Sequence, residues 1–169
     1  DKIVINSLAA INSKLINEIA SEFGRQSIVL SVDVMRSKND YTVWTENGSK
    51  VQTYSLTEYI ENLNNLPIGE LYLNSIDRDG TGQGYDSELL DYLPSHLSMP
   101  VILAGGAGKY EHLAEGLNNN KVDAVATAHL FNFVGDGLEV ARNSLLEKGF
   151  NLATWDIGKA NMLHNSCLR

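Results

Sequence analysis

The sequence predicts an α/β fold in which parallel β-strands alternate with helices, and three observations indicate it. Short apolar runs of the kind that form buried strands recur along the chain. Segments with the apolar spacing of amphipathic helices follow these runs. Two of the runs end in glycine-rich stretches, residues 80–84 and 105–108, directly before a helix pattern. Because strands and helices alternate, the strands are expected to lie parallel in one sheet.

The first half of the chain is expected to hold two strand–helix units and a hairpin. In chain order these are a strand over 2–6, a helix over 14–23, a strand over 27–34, a β-hairpin over 41–53 and a helix over 56–66. Asn12 or Ser13 caps the first helix, and Gly24 ends it. Asn47 and Gly48 supply the hairpin turn. Ser55 begins the second helix through a capping box with Glu58.

The second half repeats the pattern three times. It predicts a strand beginning at Leu71, a helix over 87–97, a strand over 101–104, a helix over 110–117, a strand over 123–128 and a helix over 135–147. Five strands, each followed by a helix, fit either a doubly wound sheet or a (β/α)8 barrel. Gly, Asp and Asn are concentrated after the carboxyl ends of the strands, while the opposite connections are short, which favours a barrel with an active face.

A complete barrel has eight strands, so the sequence predicts a partial (β/α)8 TIM barrel of five parallel strand–helix units. Residues 1–150 are expected to form this barrel domain. The tail over 151–169 shows no clear period and is expected to be loosely ordered or to form a short helix. The chain begins without Met, directly in a strand, which we interpret as a part of a longer protein or a processed one.

Composition excludes several functional classes. A net charge of −8 over 169 residues argues against a nucleic-acid surface, which needs clustered Lys and Arg. No apolar run approaches the roughly 20 residues that span a bilayer, and no signal peptide is visible. Cys167, the single cysteine, has no partner for an internal disulfide. These features predict a cytoplasmic protein that binds neither nucleic acid nor membrane.

Asp33 is the first candidate for a catalytic residue. It follows the apolar run over 28–32, so it is expected near the carboxyl end of a strand, where barrel enzymes carry their sites. A partly buried carboxylate there can act as a general acid or base. The alternative is a structural carboxylate that caps a loop or pairs with Arg36.

The two glycine-rich loops are candidates for a phosphate site. Gly80, Gly82 and Gly84 leave backbone N–H groups free to approach an anion closely. Gly105 and Gly106 come directly after a buried strand and before a helix, which is a typical place for phosphate. A tight turn alone would also require glycine. Asp77 and Asp79 lie at the same rim, and one of them could be catalytic while the other binds Arg78 or the loop backbone. No further ligands follow at a suitable spacing, so neither a metal nor another cofactor is predicted.

Polar residues at other strand ends complete the candidates. Asn6 and Asn74 are amide groups suited to hydrogen bonds with a ligand, although local Asx turns are an equally common use. His129 follows the last strand and could contact a phosphate or act as an acid, whereas a lone histidine is more often structural. His96 and His112 lie in helix patterns and are expected at the surface.

Two strings carry a family resemblance. The first is SIDRDGT over 75–81 with GYD at 84–86, and the second is GGAGK over 105–109 with EH at 111–112. Together with DKIVIN at the start and SVD over 31–33, they resemble the cyclase subunit of imidazole glycerol phosphate synthase. The resemblance runs from residue 1 to about 150, and it implies the last five strands of that family's TIM barrel.

The resemblance implies an activity. The family uses ammonia from a partner glutaminase to convert the bisphosphorylated substrate PRFAR to imidazole glycerol phosphate and an aminoimidazole carboxamide ribotide, AICAR, in histidine biosynthesis. Asp33 matches the catalytic general acid/base. The family's second catalytic carboxylate lies on a first strand that this chain lacks, so the chain alone is expected to be inactive.

The resemblance also assigns residues to three binding regions. Asn6 and Ser7 match one phosphate end of the substrate. The other phosphate end matches Asp79, Gly80, Gly106 and Ala128, and His129 stands where a small hydroxyl side chain usually meets that phosphate. At the opposite mouth of the barrel, Lys2 and Glu70 match residues at the ammonia entry, and Asp1 matches a residue that faces the glutaminase.

Two alternatives remain open at this point. Met35 replaces a lysine that the family usually carries after the catalytic Asp, which with His129 favours a paralogue that passes ammonia to a nucleotide sugar in surface-glycan assembly. The other alternative is an inactive, truncated barrel that only docks a partner or pairs with itself. It is motivated by two open sheet edges, which invite self-association.

Overall fold

A computed structural model gives the structure of the protein and describes residues 1–38, 40–128, 137–153 and 158. The strands are β1 (Ile3–Ile5), β2 (Ile28–Ser37), β3 (Asp40–Thr45), β4 (Lys50–Ser55), β5 (Glu70–Ser75), β6 (Val101–Ala104) and β7 (Ala124–Val125). The α-helices are α1 (Ser7–Ile11), α2 (Ser13–Phe23), α3 (Leu56–Leu63), α4 (Tyr110–Leu117) and α5 (Gly137–Glu147). Two 3-10 turns, Arg25–Ser27 and Ser87–Tyr92, complete the elements.

The strands form one sheet in the order β4-β3-β2-β5-β6-β7, with β1 also beside β2. All pairs among β1, β2, β5, β6 and β7 are parallel, and β3 and β4 form an antiparallel hairpin. This confirms the predicted parallel α/β fold, with the strand order of a partial TIM barrel. In the part of the chain that the structure describes, β7 pairs only with β6, so the barrel is not closed.

Strand β2 has two successive neighbours along one edge. Its first residues pair with β1 from Ile28 to Leu30, and its last residues pair with β3 from Asp33 to Ser37. Strand β5 occupies the other edge over residues 29–34. Because the hairpin continues the edge that β1 leaves, β2 extends to Ser37 instead of ending at 34. Asp33 therefore lies within the strand, opposite both the hairpin and β5.

The two faces of the sheet differ in polarity. On β2, the alternate residues Ile28, Leu30, Val32 and Val34 are all at most 1% exposed. They belong to a core that also contains residues of the flanking helices, such as Ile16 of α2 and Ile60 of α3. The opposite face of the same strands carries half-buried polar residues, Ser31 and Asp33 on β2 and Tyr72 and Asn74 on β5. Strand alternation thus directs the candidate residues away from the core.

Helix caps form as the sequence predicts. The Asn12 side chain accepts a hydrogen bond from the backbone of Leu15 and begins α2, and Gly24 ends it. Ser55 and Glu58 form the capping box at the start of α3. The hairpin turn falls at Asn47 and Gly48, between β3 and β4. Local side-chain chemistry therefore fixes these boundaries.

The predicted helix over 87–97 is wrong, and proline is the reason. The segment forms a 3-10 turn from Ser87 to Tyr92, and Leu93 is extended, with φ −73° and ψ 139°. Pro94 follows, and a residue before proline is sterically pushed out of the helical region. The third strand–helix unit therefore has a short turn in place of an α-helix.

Smaller differences concern element ends. Helix α3 ends at Leu63 rather than 66, because Pro67 disfavours helical backbone at the preceding residue. Helix α1 was not predicted, and β7 has two residues instead of the predicted six. The final helix begins at Gly137, and residues 135 and 136 lie outside the described ranges, as does most of the tail over 151–169. In the described ranges, no helix is long and apolar enough to cross a membrane.

Candidate active site

The carboxylate of Asp33 is held by two amides. Asn6 donates through Nδ2 to Asp33 Oδ2 at 2.8 Å, and Asn74 donates through Nδ2 to Asp33 Oδ1 at 3.0 Å. Asn6 follows the end of β1, and Asn74 lies beside Asp33 in the parallel register of β2 and β5. The structure thus brings together three residues that the sequence predicted separately. Each carboxylate oxygen keeps lone pairs for a further hydrogen bond.

Arg36 does not pair with Asp33, so that structural alternative is wrong. Its guanidinium donates to Asp86 at 2.7 Å and to Glu88 at 2.6 Å, and its backbone N–H donates to Asp77 Oδ2 at 2.8 Å. The hydrogen bond to Glu88, followed by that to Asp86, raises the pKa of Arg36. Asp77 therefore binds the backbone of β2, and among the described contacts it binds neither Arg78 nor the backbone of its own loop.

A small cavity of about 80 Å³ lies beside Asn74. It is lined by residues of β5, of both glycine-rich loops and of the segment after β7: Tyr72, Asn74, Asp79, Gly80, Gly105, Gly106, Ala107, Ala126, Thr127 and Ala128. Five predicted phosphate-site residues are thus gathered around one space. His129, the next residue of that prediction, lies outside the described residues.

Tyr72 is a cavity residue that the sequence analysis missed. Burial raises the pKa of Tyr72, and the negative charges of Asp79 and Asp33 raise it further. The phenol is therefore neutral near pH 7 and available as a hydrogen-bond donor. The signal was present in the sequence, because Tyr72 lies two residues before Asn74 and strand alternation puts both on one face.

Gly105 makes room for the amide of Asn74. Its φ is +89°, and a Cβ atom there would lie 2.4 Å from the carbonyl oxygen of Ser75 and 2.9 Å from Asn74 Oδ1. Either contact would force the backbone or the amide to move. A side chain at position 105 is therefore excluded by the geometry around Asn74, before any ligand is considered.

The two glycine-rich loops touch backbone to backbone. A Cβ atom on Gly106 would lie 2.2 Å from the carbonyl oxygen of Gly84, and the Gly84 N–H donates to the Gly106 carbonyl at 2.8 Å. A Cβ atom on Gly108 would lie 2.6 Å from the Cα of Gly82. These glycines serve loop packing, and their use for phosphate binding stays a prediction.

The hairpin turn lies against the first strand end. The backbone N–H of Glu46 donates to Ser7 Oγ at 2.7 Å, and Ser7 Oγ donates to Asn6 Oδ1 at 3.3 Å. Trp44, on β3, is the register partner of Asp33 across the antiparallel pair. Side chains of directly opposed residues share a face, so the half-buried indole flanks the carboxylate. This neighbour could not be predicted from the sequence, because it depends on the register of the hairpin.

An ion pair lies at the amino ends of the strands. Lys2 precedes β1, Glu70 begins β5, and the Lys2 ammonium binds the Glu70 carboxylate. Asp1 is exposed beside them in sequence. Four residue steps along β5 separate Glu70 from Asn74, which is about 13 Å. The pair thus lies at the amino ends of the strands, one sheet height from Asp33.

His112 is buried, which corrects the prediction of a surface residue. It is 8% exposed, its Nδ1 accepts a hydrogen bond from the Gly108 N–H at 3.2 Å, and its ring lies against Gly84. The imidazole therefore supports both glycine-rich loops. His96 is exposed, as predicted. Among the described residues, His, Cys, Asp and Glu side chains form no group of three that could hold a metal ion.

Comparison with known proteins identifies the family. A family model described as "Histidine biosynthesis protein" matches residues 1–135. The chain belongs to the histidine biosynthesis protein family. The parallel sheet described above agrees with the fold of this family.

Relatives of this family member carry a more specific name. A protein of Parasynechococcus marenigrum (strain WH8102), provisionally named imidazole glycerol phosphate synthase subunit hisF2, is 41% identical over 93% of this chain and 59% of its own length. The imidazole glycerol phosphate synthase subunit HisF of Prosthecochloris aestuarii (strain DSM 271 / SK 413) is 38% identical over 88% of this chain and 59% of its own. The imidazole glycerol phosphate synthase subunit HisF of Chlorobaculum tepidum is 37% identical over 90% of this chain and 61% of its own length. The chain thus spans about three fifths of the length of these curated relatives.

Proposed function

We propose that this member of the histidine biosynthesis family forms five strands of the cyclase barrel of imidazole glycerol phosphate synthase. The reaction uses ammonia to convert PRFAR to imidazole glycerol phosphate and AICAR. The observation that supports this best is the Asp33 carboxylate, held by Asn6 and Asn74 beside a cavity that two glycine-rich loops line. The site stands at the edge of a parallel sheet where barrel enzymes carry their catalytic groups.

Asp33 acts in this proposal as the general acid/base. Ring closure and bond cleavage both require proton transfers, and a positioned carboxylate accelerates such steps by about 10²–10⁴-fold. The two amides orient the carboxylate, so its free lone pairs point to one region. Preorganisation of this kind lowers the cost of reaching a reactive geometry.

The bisphosphorylated substrate is proposed to bind across the sheet edge. One phosphate meets Asn6 and Ser7 at the end of β1. The other enters the cavity near Asp79 and Gly80, where Gly106 and the residues after β7 form the opposite wall. Backbone N–H groups would carry this contact, because no Lys or Arg lines the cavity within the described residues. Asp79 is then suited to a substrate hydroxyl rather than to phosphate.

The amino ends of the strands are proposed to receive ammonia from a glutaminase subunit. Lys2 and Glu70 form an ion pair there, on the side of the sheet opposite to Asp33. Exposed Asp1 lies next to the pair and is proposed to face the glutaminase. A partner on this face leaves the edge with Asp33 open to the substrate. The cytoplasm is the proposed compartment for this assembly.

Further strands are proposed to complete the barrel, and the chain alone is proposed to be inactive. Ile3 and Val4 of β1 are 46% and 62% exposed. Next to β7, an apolar cavity of about 380 Å³ is lined mainly by α4, α5 and the strand itself, including Leu113, Leu138 and Leu145. Burial of such surfaces by the additional strands would stabilise the assembly.

A nucleotide sugar remains a second candidate substrate. Met35 lies two residues beyond Asp33 on β2, and its side chain is 36% exposed. Strand alternation puts the two residues on the same face. The family usually carries a lysine at position 35, whose positive charge could bind phosphate. The uncharged Met35 lacks this charge, and this observation favours a different acceptor of ammonia.

The deciding experiment measures turnover of PRFAR with an ammonium salt by this chain assembled with the remaining strands of a family barrel. Asp33→Asn is compared with Asp91→Asn, whose carboxylate is 78% exposed and pairs with Lys121 at the surface. We expect a loss of at least about 100-fold in kcat for Asp33→Asn. The Asp91→Asn control should retain full activity.

Two other outcomes would redirect the proposal. A folded assembly that does not turn over PRFAR but transfers ammonia to a nucleotide sugar would establish the second candidate. A folded assembly inactive on both substrates would contradict an enzymatic role. Size-exclusion mass of the chain alone then tests the docking alternative, because exposed sheet edges promote pairing between copies.

A further inference from the structure

The two amides that hold Asp33 differ in their freedom to rotate. Asn6 Oδ1 accepts the hydroxyl of Ser7, and Ser7 Oγ in turn accepts the backbone N–H of Glu46 at the hairpin turn. Rotation of the Asn6 amide by 180° would break this chain of hydrogen bonds. Asn6 is therefore fixed with its N–H groups toward Asp33.

The amide of Asn74 has no such constraint. In the described part of the chain, its hydrogen bond to Asp33 is the one that its side chain makes. Its Oδ1 packs against Gly105, where a Cβ atom would approach it to 2.9 Å. Asn74 also lines the cavity of about 80 Å³. No hydrogen bond holds Oδ1 in the described residues, and the two ends of an amide are of similar size, so exchanging them by rotation about the terminal bond needs little extra space.

Proton transfer changes what Asp33 requires from its neighbours. An ionised carboxylate only accepts hydrogen bonds, whereas a protonated one also donates through its O–H and needs an acceptor. An amide provides both functions, N–H on one side and oxygen on the other. Because Asn6 is fixed as a donor, Asn74 is the neighbour that can supply the acceptor.

We propose that Asn74 is a positioning residue that follows the protonation state of Asp33. Its Nδ2 donates to the ionised carboxylate, and a rotation of the amide presents Oδ1 to the protonated carboxyl group. This role rests on the proposed function, because it gives meaning to a proton cycle at Asp33. It also replaces the expectation from sequence that Asn74 binds the ligand directly.

The other groups around Asp33 do not provide the hydrogen-bond acceptor that the Asn74 amide can provide. The phenol of Tyr72, on β5, interacts electrostatically with both Asp33 and Asp79. Arg36, on the same strand as Asp33, is engaged by Asp86 and Glu88. Within the described residues, no Lys, Arg or His side chain forms an ion pair or a hydrogen bond with Asp33.

The test follows the ¹³C signal of the Asp33 side-chain carboxyl as a function of pH in the assembled protein. The signal is assigned by its absence from Asp33→Asn. Asn74→Leu removes donor and acceptor at similar volume, and Asn74→Thr keeps a hydroxyl that can serve as either. Asn74→Leu removes a hydrogen bond from each protonation state, and the charge-assisted bond to the ionised form is the stronger, so we expect the titration midpoint to rise by up to about one pH unit, and by less than half of that in Asn74→Thr.

Steady-state kinetics give the second readout. Asn74→Leu should lower kcat more than about 10-fold with KM within about 3-fold, and the acid limb of the pH–rate profile should move with the NMR midpoint. A raised KM with unchanged kcat would overturn the proposal and make Asn74 a ligand-binding residue. An unchanged midpoint in Asn74→Leu, or equal shifts in both variants, would also overturn it.

The two readouts separate this inference from the proposed function. The NMR titration needs a folded protein but no turnover, so it tests Asn74 even if PRFAR is not the substrate. Asn17→Leu on α2, an asparagine whose amide binds only the backbone of its own helix, is the matched control and should leave the Asp33 midpoint in place. If Asn74→Leu fails to fold, Asn74→Ala takes its place beside Asn74→Thr, with the same expected difference between the two midpoints, and equal shifts would overturn the proposal.

Discussion

Arg36 and Asp86 join the end of β2 to the end of the first glycine-rich loop. Arg36 Nη2 lies 2.7 Å from Asp86 Oδ1, and the second carboxylate oxygen of Asp86 accepts the hydroxyl of Tyr41 at 2.9 Å. Asp86 is only 3% exposed. One buried carboxylate therefore ties together the strand that carries Asp33, the hairpin and the loop that lines the cavity.

Removal of this carboxylate's charge should destabilise the fold. Asp86→Asn weakens two hydrogen bonds at a buried position, and we expect the free energy of unfolding to fall by about 2 kcal/mol. Glu88→Gln is the control. Glu88 contributes most to the raised pKa of Arg36, yet it is 71% exposed, so solvent screens the pair and the loss should stay below about 1 kcal/mol. Urea unfolding measures both, and equal losses would contradict the dominant role of the buried residue.

Alkaline pH should weaken the fold through Tyr41. Burial, and after it the hydrogen bond to Asp86, raises the pKa of Tyr41 above its unfolded value of about 10. Above pH 10 the unfolded chain loses this proton while the folded protein keeps it, so the unfolding free energy falls with rising pH. The slope for one such group is about 1.4 kcal/mol per pH unit.

The Tyr41→Phe variant checks this assignment. It lacks the titrating group, so its unfolding free energy should fall less steeply between pH 10 and 11 than that of the parent. Tyr85→Phe should flatten the curve similarly, because burial raises the pKa of Tyr85 as well. A slope unchanged in Tyr41→Phe would show that Tyr41 titrates alike in both states.

Contact between the glycine-rich loops should make Gly106 intolerant of any side chain. Gly106→Ala places a Cβ atom 2.2 Å from the carbonyl oxygen of Gly84, and φ is +103°. We expect a loss of about 3 kcal/mol or more, because backbone must move as well as adopt a strained conformation. Gly48→Ala has a φ of +74° with open space around it and should cost only about 1 kcal/mol. Similar losses in the two variants would exclude a steric role for the loop contact.

The Lys2–Glu70 pair should matter for ammonia supply rather than for stability. If the amino ends of the strands receive ammonia from a glutaminase, Lys2→Met should change glutamine-dependent turnover and leave ammonium-dependent turnover intact. Lys14→Met breaks an exposed pair with Glu18 on α2 and is the matched control. Each change should cost less than about 1 kcal/mol of stability, because half or more of each lysine side chain is exposed. Equal effects on the two ammonia sources would argue against this face as the entry.

The sequence predicts well what local chemistry decides. Alternating strands and helices, the caps at Asn12 and Ser55 and the hairpin turn follow from rules that act within a few residues. The grouping of Asn6, Asp33 and Asn74 also follows, because carboxyl ends of parallel strands meet at one edge.

The contacts that could not be predicted from the sequence depend on strand register and on packing between distant segments. Trp44 reaches Asp33 only through the antiparallel register of the hairpin, and Arg36 finds Asp86 across 50 residues of chain. His112 has a helical pattern that does not reveal two loops lying over it. By contrast, the failure of the predicted helix over 87–97 to pass Pro94 could have been foreseen, because the restriction on the residue before proline is a local rule.

The backbone contact between the glycine-rich loops has a consequence for how the protein can vary. Gly82 lies against Gly108 and Gly84 against Gly106, with no side chain between them to take up a change. An insertion or deletion in one loop would move its glycines away from the glycines that they contact in the other loop. The two loops are thus coupled in length, so sequence variation in them is expected as substitutions rather than as insertions or deletions in one loop alone.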